Sequence, residues 1–141
     1  MEMLVVIGLI TIIGSISMFI DINSYRGNAL RAEVNSLGTT LQTARADSLN
    51  NMHERRHGVA IAPGGINYYV IFEGDTYATR DPSRDENIKI SYDVLFSPSS
   101  PSEIVFDQLS GDSSDWNITM TDQERNMDEV IGINHEGKIS W

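Results

Sequence analysis

The first twenty residues place the strongest constraint on how this chain can fold. No charged side chain occurs from Met3 to Ile20, and residues 4–14 are almost wholly aliphatic. As a helix, these 18 residues would rise about 27 Å, close to the roughly 30 Å hydrocarbon thickness of a bilayer. The sequence therefore predicts a helix that can span a membrane.

A carboxylate, Glu2, stands directly before this apolar run. An unpaired charge in hydrocarbon costs on the order of 2.5–3.5 kcal/mol, so we expect a cationic partner for Glu2, and the α-amine of a neighbouring subunit would serve. The alternative is that Glu2 lies at the membrane interface and favours the positive end of the helix dipole. A cleaved secretory signal is disfavoured, because the first basic residues, Arg26 and Arg31, follow the run instead of preceding it.

A second apolar pattern continues the helix with amphipathic character. Its residues recur at spacings of four and three, which is typical of one helix face; they are Leu30, Val34, Leu37, Leu41 and Ala44. The residues assigned to the opposite, polar face are Arg31, Glu33, Asn35, Gln42, Arg45 and Asp47. We predict one helix from about residue 2 to about residue 54, stopped by Gly58, whose apolar face packs on a globular head.

From Gly58 onward the hydrophobic period changes to two, which is typical of strands. Strands are predicted at 59–62, 66–72, 76–78, 88–92, 103–106, 116–120, 130–133 and 138–141. The predicted fold class is α+β: a long N-terminal helix, membrane-spanning in its first half and amphipathic in its second, packed on an antiparallel β-sheet head. The predicted domains are 1–27, a hydrophobic transmembrane and assembly helix; 28–57, its amphipathic continuation; and 58–141, the β-rich globular head.

Charge and cysteine content exclude several kinds of function. The chain carries a net charge of −10, with 10 basic against 20 acidic side chains, so we expect no nucleic-acid partner. It contains no cysteine, which excludes a disulfide framework, a thiol nucleophile and a zinc–thiolate site.

Residues 1–10, Met-Glu-Met-Leu-Val-Val-Ile-Gly-Leu-Ile, closely resemble the start of type IV pilins and type II secretion pseudopilins. In that family a glutamate also precedes the aliphatic run, and Glu2 stands at its position, so Met1 falls inside the mature protein. A prepilin peptidase removes the family's basic leader and methylates the new N-terminal amine. The resemblance implies that this peptidase is a partner where the precursor carries the leader.

Two further segments resemble the GspH/FimT-like minor pseudopilins. Residues 41–48 resemble that group's Leu-x-x-Ala-Arg-x-x-Ala/Ser segment, and residues 133–139 resemble its final hairpin. The lack of cysteine also favours such a subunit, since major pilins often carry a cysteine-closed C-terminal loop.

The resemblance implies a structural subunit of a type IV pilus or a type II secretion pseudopilus and not an enzyme. Its partners are other pilin or pseudopilin subunits and the inner membrane, where it is a single-pass protein with an extracytoplasmic head before it enters a filament. The residues expected to make assembly contacts are Glu2, Leu4, Val5, Val6, Ile7, Leu9 and Ile10.

A competing interpretation rests on residues 53–57, His-Glu-Arg-Arg-His, a literal H-E-x-x-H metalloprotease pattern. On a helix, His53 and His57 would bind zinc while Glu54 activated water. Because two arginines stand beside the metal position and Gly58 ends the helix, we predict no catalytic residue, no cofactor and no metal, with His53 and His57 as the candidates should a metal bind. The alternatives to a filament subunit are thus a membrane-tethered zinc peptidase and a membrane-anchored β-domain that binds a ligand without polymerising.

Two acidic loops, 81–87 and 112–115, offer the oxygen ligands that calcium prefers. Neither has the spacing of a dedicated calcium loop, so solvated loops are favoured over a calcium site.

Overall fold

The chain begins with two helices. The computed structural model describes residues 2–17, 22–123 and 126–141, and leaves the side chains of residues 2, 4, 13–17 and 22–27 outside that description. Helix α1 spans Glu2–Ser17 and helix α2 spans Ile22–Leu49. Neither described helix combines the length and apolarity that a bilayer crossing requires. The predicted span Met3–Ile20 runs past α1 into residues outside the described part, and it stays a prediction.

Helix α2 ends at Leu49, earlier than the predicted end near residue 54. Asn51 adopts the left-handed conformation, with φ 53° and ψ 39°, and asparagine is among the few residues that end helices in this way. A single 3₁₀ turn, Met52–Glu54, follows. Gly58 is not the helix stop but lies in the first strand, where a Cβ atom would stand 2.6 Å from the carbonyl oxygen of Ile104.

The described residues contain eight strands, which form two antiparallel four-stranded sheets. The strands are β1 His57–Ile61, β2 Tyr68–Glu73, β3 Glu86–Lys89, β4 Leu95–Phe96, β5 Glu103–Phe106, β6 Trp116–Asp122, β7 Met127–Ile133 and β8 Ile139–Ser140. The first sheet has the order β3-β2-β1-β5 and the second has the order β4-β6-β7-β8. The prediction of an α+β fold with a long helix and an antiparallel β-sheet head is confirmed, but the strands are divided between two sheets. The predicted continuity of the helix falls on residues 18–21, which lie outside the described part.

One predicted strand is wrong. Residues 76–78 form no strand, and Tyr77–Thr79 is a 3₁₀ turn. The aromatic ring of Tyr77 packs edge-on against Phe72 at 5.6 Å, and Arg80 lies 3.5 Å above the Tyr77 ring. This segment therefore covers the face of the first sheet that is turned away from α2, which explains why every residue of β1 is buried.

The core lies between α2 and the two sheets. Helix α2 packs on β1, β2, β5, β7 and β8, and its apolar stripe joins one cluster with residues of both sheets. Glu33, assigned from the sequence to the polar face, is in fact 3% exposed. Its Oε2 atom accepts hydrogen bonds from the backbone N–H groups of Ser91 and Tyr92, and these bonds make its burial tolerable.

Candidate functional sites: an exposed apolar helix and a buried histidine–carboxylate cluster

Helix α1 leaves its described apolar side chains uncovered. Those that are exposed are Met3, Val5, Val6, Ile7, Leu9, Ile10 and Ile12, with exposed fractions from 52% for Val6 to 80% for Met3. Successive residues stand about 100° apart around a helix, so these side chains point to all sides and not to one stripe. A helix that is apolar all round is stable when lipid or other helices surround it.

The predicted assembly residues fall on this helix. Val5, Val6, Ile7, Leu9 and Ile10 are among its exposed side chains. Glu2 is the first residue of α1, and the side chains of Glu2 and Leu4 lie outside the described part. Full burial of one Val, Leu or Ile side chain contributes about 1.5–3 kcal/mol, so even partial coverage of α1 would strongly favour association.

Helix α2, by contrast, is covered by the head. The residues predicted to face the head are all buried, at 5% exposure or less: Leu30, Val34, Leu37, Leu41 and Ala44. Their stripe packs into the core between the two sheets. Helix α2 is thereby held to the head over most of its length.

Two polar residues of the segment 41–48 connect the end of α2 to the head. Arg45 donates from Nε to the carbonyl of Gly111 at 3.2 Å and from Nη2 to that of Glu136 at 2.9 Å. Ser48 is fully buried; its hydroxyl donates to the carbonyl of Phe106 and accepts from the N–H of His57. These bonds join α2 to β1, to the end of β5 and to the final hairpin.

Residues 53–57 do not form the helical H-E-x-x-H geometry. His53 lies in the 3₁₀ turn with φ 52° and ψ 18°, whereas His57 is the first residue of β1. A zinc peptidase needs both histidines one turn apart on a helix with the glutamate between them. That arrangement is not formed, because the chain leaves the helix before it reaches the motif.

The two histidines instead meet at Glu73, the last residue of β2. His57 pairs directly with Glu73 across β1 and β2, so their side chains share one face of the sheet. Glu73 Oε1 lies 2.5 Å from His53 Nδ1 and 3.6 Å from His57 Nε2. One ligand atom from each of these three residues lies within 4.8 Å of the others. We call His53, His57 and Glu73 the histidine–carboxylate cluster.

Charge around the cluster is arranged in pairs. The second carboxylate oxygen, Glu73 Oε2, accepts a hydrogen bond from Arg84 Nη1 at 3.2 Å. Arg56, on the wall of an adjoining polar pocket, pairs with Asp107 at 3.2 Å and with Asp75 at 3.6 Å. Arg56, one of the two arginines within the motif, is therefore directed to carboxylates outside the cluster.

Two carboxylates of the acidic loop 81–87, those of Asp81 and Asp85, have partners nearby in the chain. Asp81 Oδ1 accepts from both the hydroxyl and the backbone N–H of Ser83, and these hydrogen bonds lower the pKa of Asp81. Asp85 binds the guanidinium of Arg80 at 2.8 Å. The partners of these two carboxylates are thus a serine and nearby arginines.

Comparison with known proteins identifies the fold. No protein-family model matches the sequence, and no curated protein matches it. The structure is similar to the crystal structure of the type IV minor pilin FimU of Pseudomonas aeruginosa strain PAO1. The TM-score is 0.62 at 14% identity, over 82% of this chain and 89% of that chain. The fold is type IV pilin-like.

Within this pilin-like fold, sequence reasoning missed Glu73 as a partner of the two histidines. The sequence alone offers His135 or an acidic loop as a third ligand beside His53 and His57, yet His135 is exposed and stands outside the cluster. The signal that could have found Glu73 is hairpin register. A hairpin built from the strands predicted at 59–62 and 66–72 brings the residues just before the first strand, His57 among them, close to Glu73, which directly follows the second.

Proposed function

We propose that this chain is a minor pilin or pseudopilin subunit that joins other such subunits through α1. The observation that carries the proposal is the exposure of apolar side chains on all sides of α1, in a chain whose fold is pilin-like. A helix of this kind suits lipid before assembly and the helices of neighbouring subunits afterwards. The filament is a type IV pilus or a type II secretion pseudopilus.

The proposed division of labour follows the chain. Residues 1–27 anchor the subunit in the inner membrane and then hold it in the filament. Residues 28–57, which are α-helical as far as Leu49, carry the chain into the head, and residues 58–141 present an extracytoplasmic surface. The prepilin peptidase processes the precursor where it carries a leader. Support comes from the change in burial between the exposed α1 and the covered stripe of α2.

The proposed role of the head is structural and not catalytic. FimU, the similar structure, is described as a minor pilin. The helical geometry that a zinc peptidase requires is not formed at residues 53–57. These two observations favour the filament subunit over the tethered peptidase.

The experiment is incorporation of a Glu2→Ala variant into filaments, with the chain expressed in processed form beside its partner subunits. Removal of one partner of a buried charge pair typically costs about 3–5 kcal/mol, which corresponds to an association constant lower by roughly 10²-fold to several 10³-fold. We expect the variant to accumulate in the membrane fraction and to be nearly absent from sheared filaments. Glu54→Ala removes the same charge from an exposed head position and should incorporate as the wild type does. Normal incorporation of Glu2→Ala would refute the charge-pairing mechanism, whereas absence of the wild-type chain from filaments would favour a membrane-anchored β-domain that does not polymerise.

A further inference from the structure

We propose that His53, His57 and Glu73 form a binding site for a divalent transition metal, for which zinc is the best-suited ion. Two imidazoles and one carboxylate are a donor set that zinc accepts, with one position left open for water. The site is not the peptidase centre suggested by the H-E-x-x-H pattern, because its carboxylate is Glu73 of β2 and not Glu54. The proposal does not depend on filament assembly.

The distances need only a small adjustment. Ligand atoms about 2.0–2.2 Å from a tetrahedral zinc ion stand roughly 3.3–3.5 Å from one another. The separation of 3.6 Å between Glu73 Oε1 and His57 Nε2 already suits this geometry. His53 Nδ1, at 2.5 Å from the same oxygen, must move outward by roughly 1 Å. Its side chain is 49% exposed, so it has room to move.

The charges also suit a cation. Glu73 divides its two oxygens, since Oε1 faces the histidines and Oε2 faces Arg84. A metal ion at Oε1 therefore leaves the Arg84 contact in place, and such an outer hydrogen bond to a ligating carboxylate is common in metal sites. Arg84 itself lies 3.8 Å from Asp81, which offsets part of its charge.

His57 supplies an independent observation. Its side chain is 3% exposed, and its Nδ1 atom is buried without a hydrogen-bond partner. An unpaired buried polar atom typically costs about 1–3 kcal/mol. Hydrogen bonds to this ring nitrogen therefore do not explain why a histidine stands at this buried position. The atom that faces Glu73 is the other ring nitrogen, Nε2, and a metal bound there would contribute a ligand bond while Nδ1 keeps its place without a partner.

The metal would link three parts of a head that has no cysteine for a disulfide. His53 belongs to the turn after α2, His57 begins β1, and Glu73 ends β2. Because a metal that binds the folded state adds its binding free energy to stability, the site would stabilise this corner of the head.

The test is zinc titration of the full, untagged chain in detergent after metal removal, followed by calorimetry and by the thermal midpoint. We expect one zinc per chain and a raised midpoint. His53→Ala and Glu73→Gln should each weaken binding at least tenfold and abolish the thermal shift. His135→Ala, which removes an exposed histidine outside the cluster, is the matched control and should bind as the wild type does.

Cobalt provides a readout of geometry. A Co²⁺-loaded wild type should show the intense visible absorption of a tetrahedral ion, and His53→Ala should lose it. Since the His53 side chain is half-exposed, the metal-free His53→Ala variant should have a thermal midpoint within a few degrees of that of the metal-free wild type. This comparison separates loss of metal binding from loss of the fold. Zinc binding that is absent, that survives His53→Ala, or that falls equally in His135→Ala would overturn the proposal.

Discussion

Glu33 shows how one residue of α2 holds a neighbouring segment of the head. Its Oε2 atom accepts from the N–H of Ser91 at 3.0 Å and from that of Tyr92 at 3.2 Å, just beyond β3. Hydrogen bonds to a charged group contribute roughly 1.5–3 kcal/mol each. Burial raises the pKa of Tyr69 and the Glu33 carboxylate raises it further, so this phenol stays neutral at physiological pH.

We expect Glu33→Ala to lower the free energy of unfolding of the full chain by about 2–3 kcal/mol, because it removes the shared acceptor of two N–H groups. The loss is smaller than the sum of the two hydrogen bonds, since the change also removes the buried Oε1 atom, which has no hydrogen-bond partner. Glu33→Gln keeps an acceptor oxygen and should lose about half as much. Urea unfolding in detergent measures both. Glu54→Ala, at an exposed position, should change stability by less than about 0.5 kcal/mol. An unfolding midpoint of Glu33→Ala equal to that of the wild type would show that these hydrogen bonds carry no stability.

The helical pattern of the sequence places Glu33 on the buried face of α2. Because glutamate is usually exposed, the residue was assigned to the polar face instead. Glu33 lies three residues after Leu30 and four before Leu37, which is the spacing of the buried stripe. The helical period alone therefore places it facing the head. A carboxylate is almost never fully buried without partners, and its partners, the N–H groups of residues 91 and 92, are distant in sequence. The residue type therefore predicted an exposed Glu33 side chain, whereas in the structure the two N–H groups compensate for the burial of its carboxylate.

At the scale of elements, the C-terminal residue packs directly on α2. The indole ring of Trp141 lies 2.9 Å from where a Cβ atom of Gly38 would stand, and Trp141 Nε1 donates to Asn35 Oδ1 at 2.7 Å. Gly38 therefore permits the close approach of a side chain to the helix, which explains a glycine inside an otherwise regular helix.

This contact predicts a change of sign in a double-mutant cycle. In the wild-type background, Gly38→Ala should displace the indole, lower the free energy of unfolding and shift Trp141 fluorescence toward that of an exposed indole. In a Trp141→Ala background the same change should stabilise the chain by about 0.5–1 kcal/mol, because alanine is the better helix former. Urea unfolding of the four chains measures the coupling. An equal effect of Gly38→Ala in both backgrounds would contradict the packing argument.

Elements whose bounds follow from a local sequence pattern could be predicted, whereas elements whose bounds depend on tertiary contacts could not. The strand at 103–106 and the stripe of α2 follow from apolar periodicity, and the structure has both. The end of α2 depends on a left-handed Asn51, a weaker signal than the glycine at 58. The two-residue strand β4, Leu95–Phe96, forms by pairing with β6, and so short a strand has no period to detect.

At the scale of the whole molecule, the chain divides by what covers its apolar surface. The stripe of α2 is buried by the head's own sheets, whereas the described apolar side chains of α1 are exposed. The sequence predicted this division through the change from a continuous apolar run to an amphipathic pattern. The histidine–carboxylate cluster could not be predicted as fully, because it depends on the register that sets His57 opposite Glu73.

The central claim, that α1 holds this subunit among its neighbours, is tested most directly by a photoreactive amino acid at Ile10, which is 63% exposed on α1. The same label at Asp128, exposed on β7, serves as the control for contacts of the head. After irradiation of assembled filaments, mass spectrometry identifies the peptides joined to each label. The account predicts that Ile10 is joined to the N-terminal helix of another pilin-like subunit, and that this product disappears in filament-free membranes. Adducts of Ile10 with lipid alone, in filaments and membranes alike, would contradict it.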